Sequence, residues 1–197
     1  MNNLKFSKKY LIVSLLAIFA VLERVIFDLG PNVELITAVL ILSSFYLGNK
    51  ASLIFTFLAL LISDLIIGNT NIYLFTWTGF LIPAVFASSV FSKIKAKVKV
   101  NKYFLTTLAG ITANLFFFIW TNFGVWSLDS FGMYSNDLNG LVRCYINAIP
   151  FLKNQLISTL TFVPLSIVVF ESVSLVLLKM SHLESTSPLR KAVIKIS

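Results

Sequence analysis

Charged side chains interrupt the long apolar runs of this sequence at a small number of positions. Glu23, Arg24 and Asp28 close the first run, Glu34 opens the second, and Asp64 lies late in the third. An ionisable side chain at membrane depth is costly, so it normally faces a cavity, a partner charge or a ligand. This placement predicts a polar pocket that binds a small molecule.

Two ion pairs are compatible with these positions. Arg24 and Asp28 are four residues apart and can pair on one face of a helix. Arg24 can equally form a buried bridge between the first and third helices through Asp64. Both pairs leave a ligand role open, because a bridge can form the floor of a pocket.

Uncharged polar side chains extend the candidate pocket. Asn32 precedes the second apolar run, whereas Asn122 and Trp126 close the fifth. Asn114 lies in the middle of the fifth run and is expected to line a cavity. The predicted ligand-binding residues are Arg24, Asn32, Glu34, Asp64, Asn114, Asn122 and Trp126.

The chemistry available in these runs argues against an enzyme. The sequence has one histidine, His182, and one cysteine, Cys144, so a histidine-based metal site or a Ser-His-Asp triad cannot form there. It contains no G-x-x-x-x-G-K-S/T phosphate-binding loop, and Asp64 has no second acid at equal depth. We therefore expect no catalytic residues, no metal and no cofactor.

These side chains belong to a chain of 197 residues that is 57% hydrophobic and 12% charged, with a mean hydropathy of +0.89. Soluble domains are about 45–50% apolar and about a quarter charged. The composition excludes intrinsic disorder and a disulfide-stapled secreted module. The positions of the Lys and Arg residues that give the net charge of +8 match the expected membrane topology. Nucleic-acid binding is therefore excluded as the explanation of this charge. The sequence predicts an all-α integral membrane protein.

Apolar runs of sufficient length predict a bundle of six transmembrane helices. The predicted spans are about residues 10–27, 33–47, 52–67, 72–91, 102–122 and 155–179. The second is short and follows Pro31, which breaks the preceding helix, so we expect a partly submerged first loop. The segment 123–154 is expected to fold on one face without crossing. Residues 1–180 then form one transmembrane domain, and residues 181–197 form a cytoplasmic tail.

Lysine and arginine positions orient the bundle. With the N-terminus in the cytoplasm, thirteen of the sixteen Lys and Arg residues fall on the cytoplasmic side. Arg143 and Lys153 fall outside, and Arg24 lies within the first span. Cytoplasmic loops carry such an excess. Both termini are therefore predicted to be cytoplasmic, and the polar pocket to open to the exterior.

Several blocks of the sequence resemble an uncharacterised family of bacterial six-helix membrane proteins. They include Pro31–Val33, Ile62–Gly68 and, most specifically, Thr121–Trp126, and the resemblance covers about residues 20–160. That family is in turn similar to the substrate-binding S components of energy-coupling factor transporters. The resemblance implies a multi-pass protein of the bacterial cytoplasmic membrane with its ligand site near the outer face.

The resemblance also implies a mechanism and partners. An S component captures a vitamin or similar micronutrient outside the cell and docks on a transmembrane T component that two cytoplasmic ATPases drive. It then topples in the bilayer to release the ligand inside. The alternative hypothesis is a structural scaffold without a small-molecule ligand, because the rod-shape-determining membrane protein of the cell-wall elongation machinery has a similar six-helix plan.

Overall fold

A computed structural model describes residues 6–68, 71–97, 100–129 and 132–186. These residues contain six α-helices and no β-strand. The helices are α1 (Phe6–Leu22), α2 (Ile36–Tyr46), α3 (Asn49–Ile67), α4 (Tyr73–Lys97), α5 (Lys102–Leu128) and α6 (Leu138–Thr186). A π-helical turn, Glu23–Phe27, continues α1 directly. The all-α prediction is confirmed for this part of the chain, while residues 187–197 of the predicted tail and the His182 side chain lie outside it.

Five of the helices are long and apolar enough to cross a membrane, and α2 is the exception. Its 11 residues extend about 16 Å at 1.5 Å per residue, whereas a bilayer core is about 30 Å thick. Every side chain from Ile36 to Ser44 is buried, as expected for a helix that is apolar on all sides. The short helix is therefore the centre of the bundle. The count of six crossings remains a prediction.

The helices alternate in direction, so the bundle has two distinct ends. The start of α1 and the end of α6 meet where the Lys8 ammonium donates to the carbonyl of Leu177 at 3.1 Å. We call this the terminal end, and we call the opposite end, which carries Pro31 and Gly68, the distal end. Multi-pass insertion is compatible with this arrangement, and the side of the membrane that each end faces is a prediction.

Helices α5 and α6 form a long antiparallel hairpin. A Cβ atom on Gly110 of α5 would lie 2.8 Å from the Thr159 methyl group of α6, so glycine permits a close approach. Both helices are longer than the predicted spans, because α5 continues to Leu128 and α6 already begins at Leu138. The segment 123–154 is thus mostly helical, and the sequence-based boundaries at 122 and 155 fall inside the helices.

The two helices of this hairpin do not run straight beside one another. Asn122 contacts Cys144, and Lys102 contacts Glu171, so 20 residues of α5 span the same interval as 27 residues of α6. At 1.5 Å per residue these segments are about 30 Å and 40 Å long. Pro150 lies inside α6 within this interval, and an internal proline removes a backbone hydrogen bond and kinks a helix.

A polar cluster connects three helices near the terminal end. The carboxylate of Glu171 on α6 pairs with Lys102 of α5. It also accepts hydrogen bonds from Tyr46 of α2 at 3.1 Å and from Tyr103 of α5 at 3.2 Å. Glu171 is therefore satisfied within the chain, and its role at this end is structural.

The first turn of α6 should depend on its capping carboxylate. The backbone N–H of Gly140 donates to Asp137 at 2.7 Å and lowers the pKa of this exposed carboxyl group, as does the Ser135 hydroxyl. Because the folded pKa is lowered, the cap stabilises the turn at neutral pH and is lost as pH falls through that pKa. Asp137→Ala should accelerate amide hydrogen exchange at Gly140 and Leu141 several-fold at pH 7. The exposed neighbour Asn136 provides the control Asn136→Ala, and equal exchange in the two variants would contradict the capping role.

Candidate ligand-binding site

A buried ion pair joins the end of α1 to α3 near the distal end. The Arg24 Nη2 atom lies 2.9 Å from Asp64 Oδ1, and the Trp77 indole N–H donates to Asp64 Oδ2 at 2.6 Å. The exposed fractions of the Arg24 and Asp64 side chains are 17% and 6%. Asp28 instead accepts from the backbone of Gly30. Of the two predicted pairings, the structure therefore contains the bridge between helices.

The π-helical turn gives Arg24 its position. A π turn rotates the following side chains relative to an α-helix, and such turns occur frequently at functional sites. Glu23, which is 2% exposed, accepts a hydrogen bond from the backbone N–H of Leu35 at 3.3 Å. The end of α1 is thereby attached to the residue before α2. Arg24 follows directly and reaches α3.

A cavity of about 360 Å³ lies beside this ion pair at the distal end. Its walls come from the π-helical turn, the loop before α2, and helices α4, α5 and α6. The polar and charged side chains that line it are Arg24, Asn32, Glu34, Thr76, Thr121, Asn122, Asn147 and Gln155. The aromatic ones are Phe80, Phe117, Phe118, Tyr134 and Phe151. Ligand sites commonly have this size and this mixture of apolar walls with a few polar groups.

Two buried nitrogen atoms on residues that line the cavity have no hydrogen-bond partner within the described part of the chain. They are Nε2 of Gln155, whose residue is 1% exposed, and Nη1 of Arg24. Arg24 Nη1 lies 3.7 Å from Glu34 Oε2, which is an ion-pair contact and is too long for a hydrogen bond. Buried polar groups are normally paired, so this wall has unused hydrogen-bonding capacity.

The loop before α2 is fixed to α6 on the rim of this cavity. Ser158 accepts from the backbone N–H of Glu34 at 3.1 Å and donates to its carbonyl at 2.8 Å. The Asn154 amide donates to the carbonyl of Pro31 at 3.0 Å. Asn32 has a left-handed backbone conformation with φ of 57°, which asparagine adopts more readily than most residues. These contacts place the Glu34 and Asn32 side chains at the cavity.

The structure brings four of the seven predicted residues to the cavity wall, namely Arg24, Asn32, Glu34 and Asn122. The fifth, Asp64, lies behind Arg24 and holds its guanidinium group. The carbonyl of Asn122 accepts a weak hydrogen bond from the Cys144 thiol at 3.4 Å. Their role as ligand contacts remains a prediction.

The other two predicted residues have structural positions. Asn114 does not line the cavity, contrary to our expectation, because its amide is fully engaged one layer deeper. It accepts from the Thr37 hydroxyl at 2.9 Å and donates to the carbonyl of Gln155 at 3.1 Å and to the Thr159 hydroxyl. The Trp126 indole N–H donates to the carbonyl of Ser135 at 3.1 Å, which attaches the segment before α6 to α5.

Sequence reasoning missed the α6 contribution to the wall. Cys144, Asn147, Ala148, Phe151 and Gln155 all line the cavity. Their spacing of three, four, seven and eleven residues from Cys144 is that of one helix face. This period was visible in the sequence. The prediction did not use this period, because the mixed composition of residues 123–154 favoured a segment on the surface of the bundle.

A second concavity, of about 350 Å³, lies between α2, α4 and α5. Leu40, Pro83, Phe86 and Leu108 are among its lining residues, and its surface is almost entirely apolar. It has no buried polar group to orient a ligand. The distal cavity is therefore the candidate site.

The fold and the cavity together define a class of protein: an all-α bundle with several membrane-length apolar helices and a polar cavity at its distal end. The chain belongs to the Family of unknown function (DUF6580), which it matches over residues 4–183. No curated protein and no solved structure matches the chain.

The Arg24–Asp64 bridge should behave as a coupled pair. Asp64→Leu leaves a buried guanidinium without its carboxylate and should reduce the free energy of unfolding by about 3 kcal/mol. Arg24→Met combined with Asp64→Leu should lose less than the sum of the two single variants, because each single variant already loses the same Arg24–Asp64 ion pair. Unfolding in mixed detergent micelles measures these values.

The exposed Arg143 supplies the control for this cycle. Arg143→Met should change stability by no more than about 0.5 kcal/mol. Strictly additive losses in the double variant would show that Arg24 and Asp64 do not interact energetically.

Proposed function

We propose that this chain is the substrate-capturing membrane subunit of an importer for a vitamin-like micronutrient, of the energy-coupling factor type. The distal cavity is its ligand site, and the protein resides in the bacterial cytoplasmic membrane with both termini in the cytoplasm. The S-component resemblance and the distal cavity support the same location for the ligand.

The observation that carries this proposal is the unpaired Gln155 amide in the cavity wall. A buried donor without a partner costs about 1–3 kcal/mol, and a leucine at this position would avoid that cost. A bound molecule that accepts from Gln155 would recover it. The cavity volume of about 360 Å³ falls within the range of sites for small organic ligands.

The charge distribution supports capture from outside. The excess of lysine and arginine at the terminal end favours a cytoplasmic location for that end. The distal cavity would then open to the exterior, which suits a protein that collects a scarce nutrient.

Energy would come from partner subunits. The sequence lacks a phosphate-binding loop of the P-loop type, and the proposed partners are a T component and two ATPase subunits. The exposed side chains of α1 are apolar at helical spacing, as at Leu11, Leu15, Ile18 and Leu22. Such a face suits lipid or a transmembrane partner. Ala17 and Ala20 are three residues apart, whereas S components dock through alanines four apart, so the contact with a T component would differ in detail.

The Gln155→Leu variant separates a ligand role from a structural role. Because Nε2 has no protein partner to lose, the thermal midpoint should stay the same or rise. The small molecule that co-purifies with the protein should fall at least about tenfold, equivalent to about 1.4 kcal/mol of binding free energy. Native mass spectrometry of gently purified protein measures both the ligand and its occupancy.

The matched control is Asn139→Leu, which removes an exposed amide at the distal end and should leave ligand occupancy unchanged. Co-purification of a T component and paired ATPases would support the importer. If no small molecule is retained, even after incubation with a metabolite extract, and cell-wall elongation proteins co-purify, the scaffold hypothesis would replace the proposal.

A further inference from the structure

The distal cavity and the ion pair behind it contain two carboxylates, Glu34 and Asp64, and one guanidinium group, Arg24. We infer that its ligand is an organic cation with a flat apolar body. This inference rests on the proposed function and specifies the chemical class of the captured molecule.

Arg24 forms ion pairs of unequal length with two carboxylates. Asp64 receives the short contact from Arg24 and a second hydrogen bond from Trp77. Within the described residues, Arg24 is the cation paired with Glu34, and the distance of 3.7 Å makes this the weaker of its two ion pairs. One guanidinium thus serves two carboxylates.

A buried Glu34 carboxylate without a close partner charge is energetically costly. Its side chain is only 13% exposed, and it lines the cavity. A carboxylate removed from water needs a close partner charge or several hydrogen-bond donors. A cation in the cavity would supply that partner, whereas an anion placed beside Glu34 would be repelled by its carboxylate.

Aromatic side chains form part of the cavity wall. Phe80, Phe117, Phe118, Tyr134 and Phe151 line the same cavity, and the face of an aromatic ring attracts a cation. The rings also provide flat surfaces for an apolar body. The Gln155 amide can donate to an acceptor atom on that body, such as a carbonyl or a ring nitrogen. The ligand therefore combines a cationic group near Glu34 with an acceptor near Gln155.

Three flat probes of nearly identical shape test the sign of the charge. Benzamidine is cationic at pH 7, benzamide is neutral, and benzoate is anionic. Calorimetric titration into the full chain in lipid nanodiscs should show binding of benzamidine at least about tenfold tighter than that of benzamide, and weaker binding still of benzoate. Titration to about 10 mM covers weak binding.

Variants assign the effect to Glu34. Glu34→Gln should remove the preference for benzamidine, and Glu34→Asp should retain it. Asp137→Asn is the matched control, because this carboxylate is at the distal end and outside the cavity wall. If Glu34→Gln does not fold, the order of the affinities for the three probes in the unmodified protein and in Glu34→Asp still tests the cation assignment.

The outcomes separate this inference from the proposed function. Equal affinity for benzamidine and benzamide, tighter binding of benzoate, or no binding of benzamidine would each overturn the cation assignment. Binding of benzoate that Gln155→Leu abolishes would overturn the charge assignment and leave the cavity as a ligand site. The proposed function fails if no small molecule is retained, even after incubation with a metabolite extract, and cell-wall elongation proteins co-purify.

Discussion

The ion pair between Arg24 and Asp64 is the interaction on which the distal half of this protein depends. A buried guanidinium group needs a partner charge, and Asp64, held in turn by Trp77, is the nearest carboxylate. The pair connects α1 to α3 and fixes the floor of the cavity. Its geometry also determines which carboxylate is left with a weak partner, namely Glu34. The structural role and the proposed binding role therefore share the same residues.

The cavity follows from a difference in helix length. Helix α2 is about 16 Å long, and α5, with 27 residues, extends about 40 Å. Near the terminal end, α2 therefore fills the centre of the bundle. Near the distal end, the loop before α2 occupies this position. Polar loop residues and aromatic side chains of the longer helices surround the remaining space. Glu171 and its partners join α2, α5 and α6 at the terminal end.

Much of this arrangement could be predicted from the sequence, and the reasons for the failures are specific. The apolar runs overlap all six helices of the described residues, and Pro31 correctly marked the break before α2. The sequence could not decide whether Arg24 pairs with Asp28 or with Asp64, because helix spacing permits both pairs. Asn114 was expected to line a cavity and instead joins α5 to α2 and α6, because a polar residue in an apolar run serves packing as readily as binding. The contribution of Gln155 to the cavity wall was missed because the interpretation of residues 123–154 relied on their mixed composition and not on the helical spacing of their side chains.

We propose that the distal cavity opens to the outside of the cell, and thiol labelling in spheroplasts tests this orientation most directly. Asn147, exposed on the cavity wall, would be changed to cysteine in a Cys144→Ser background, and Val100→Cys at the terminal end is the control. The account predicts that a membrane-impermeant maleimide labels Asn147→Cys in intact spheroplasts and Val100→Cys only after permeabilisation. The reverse pattern would contradict it.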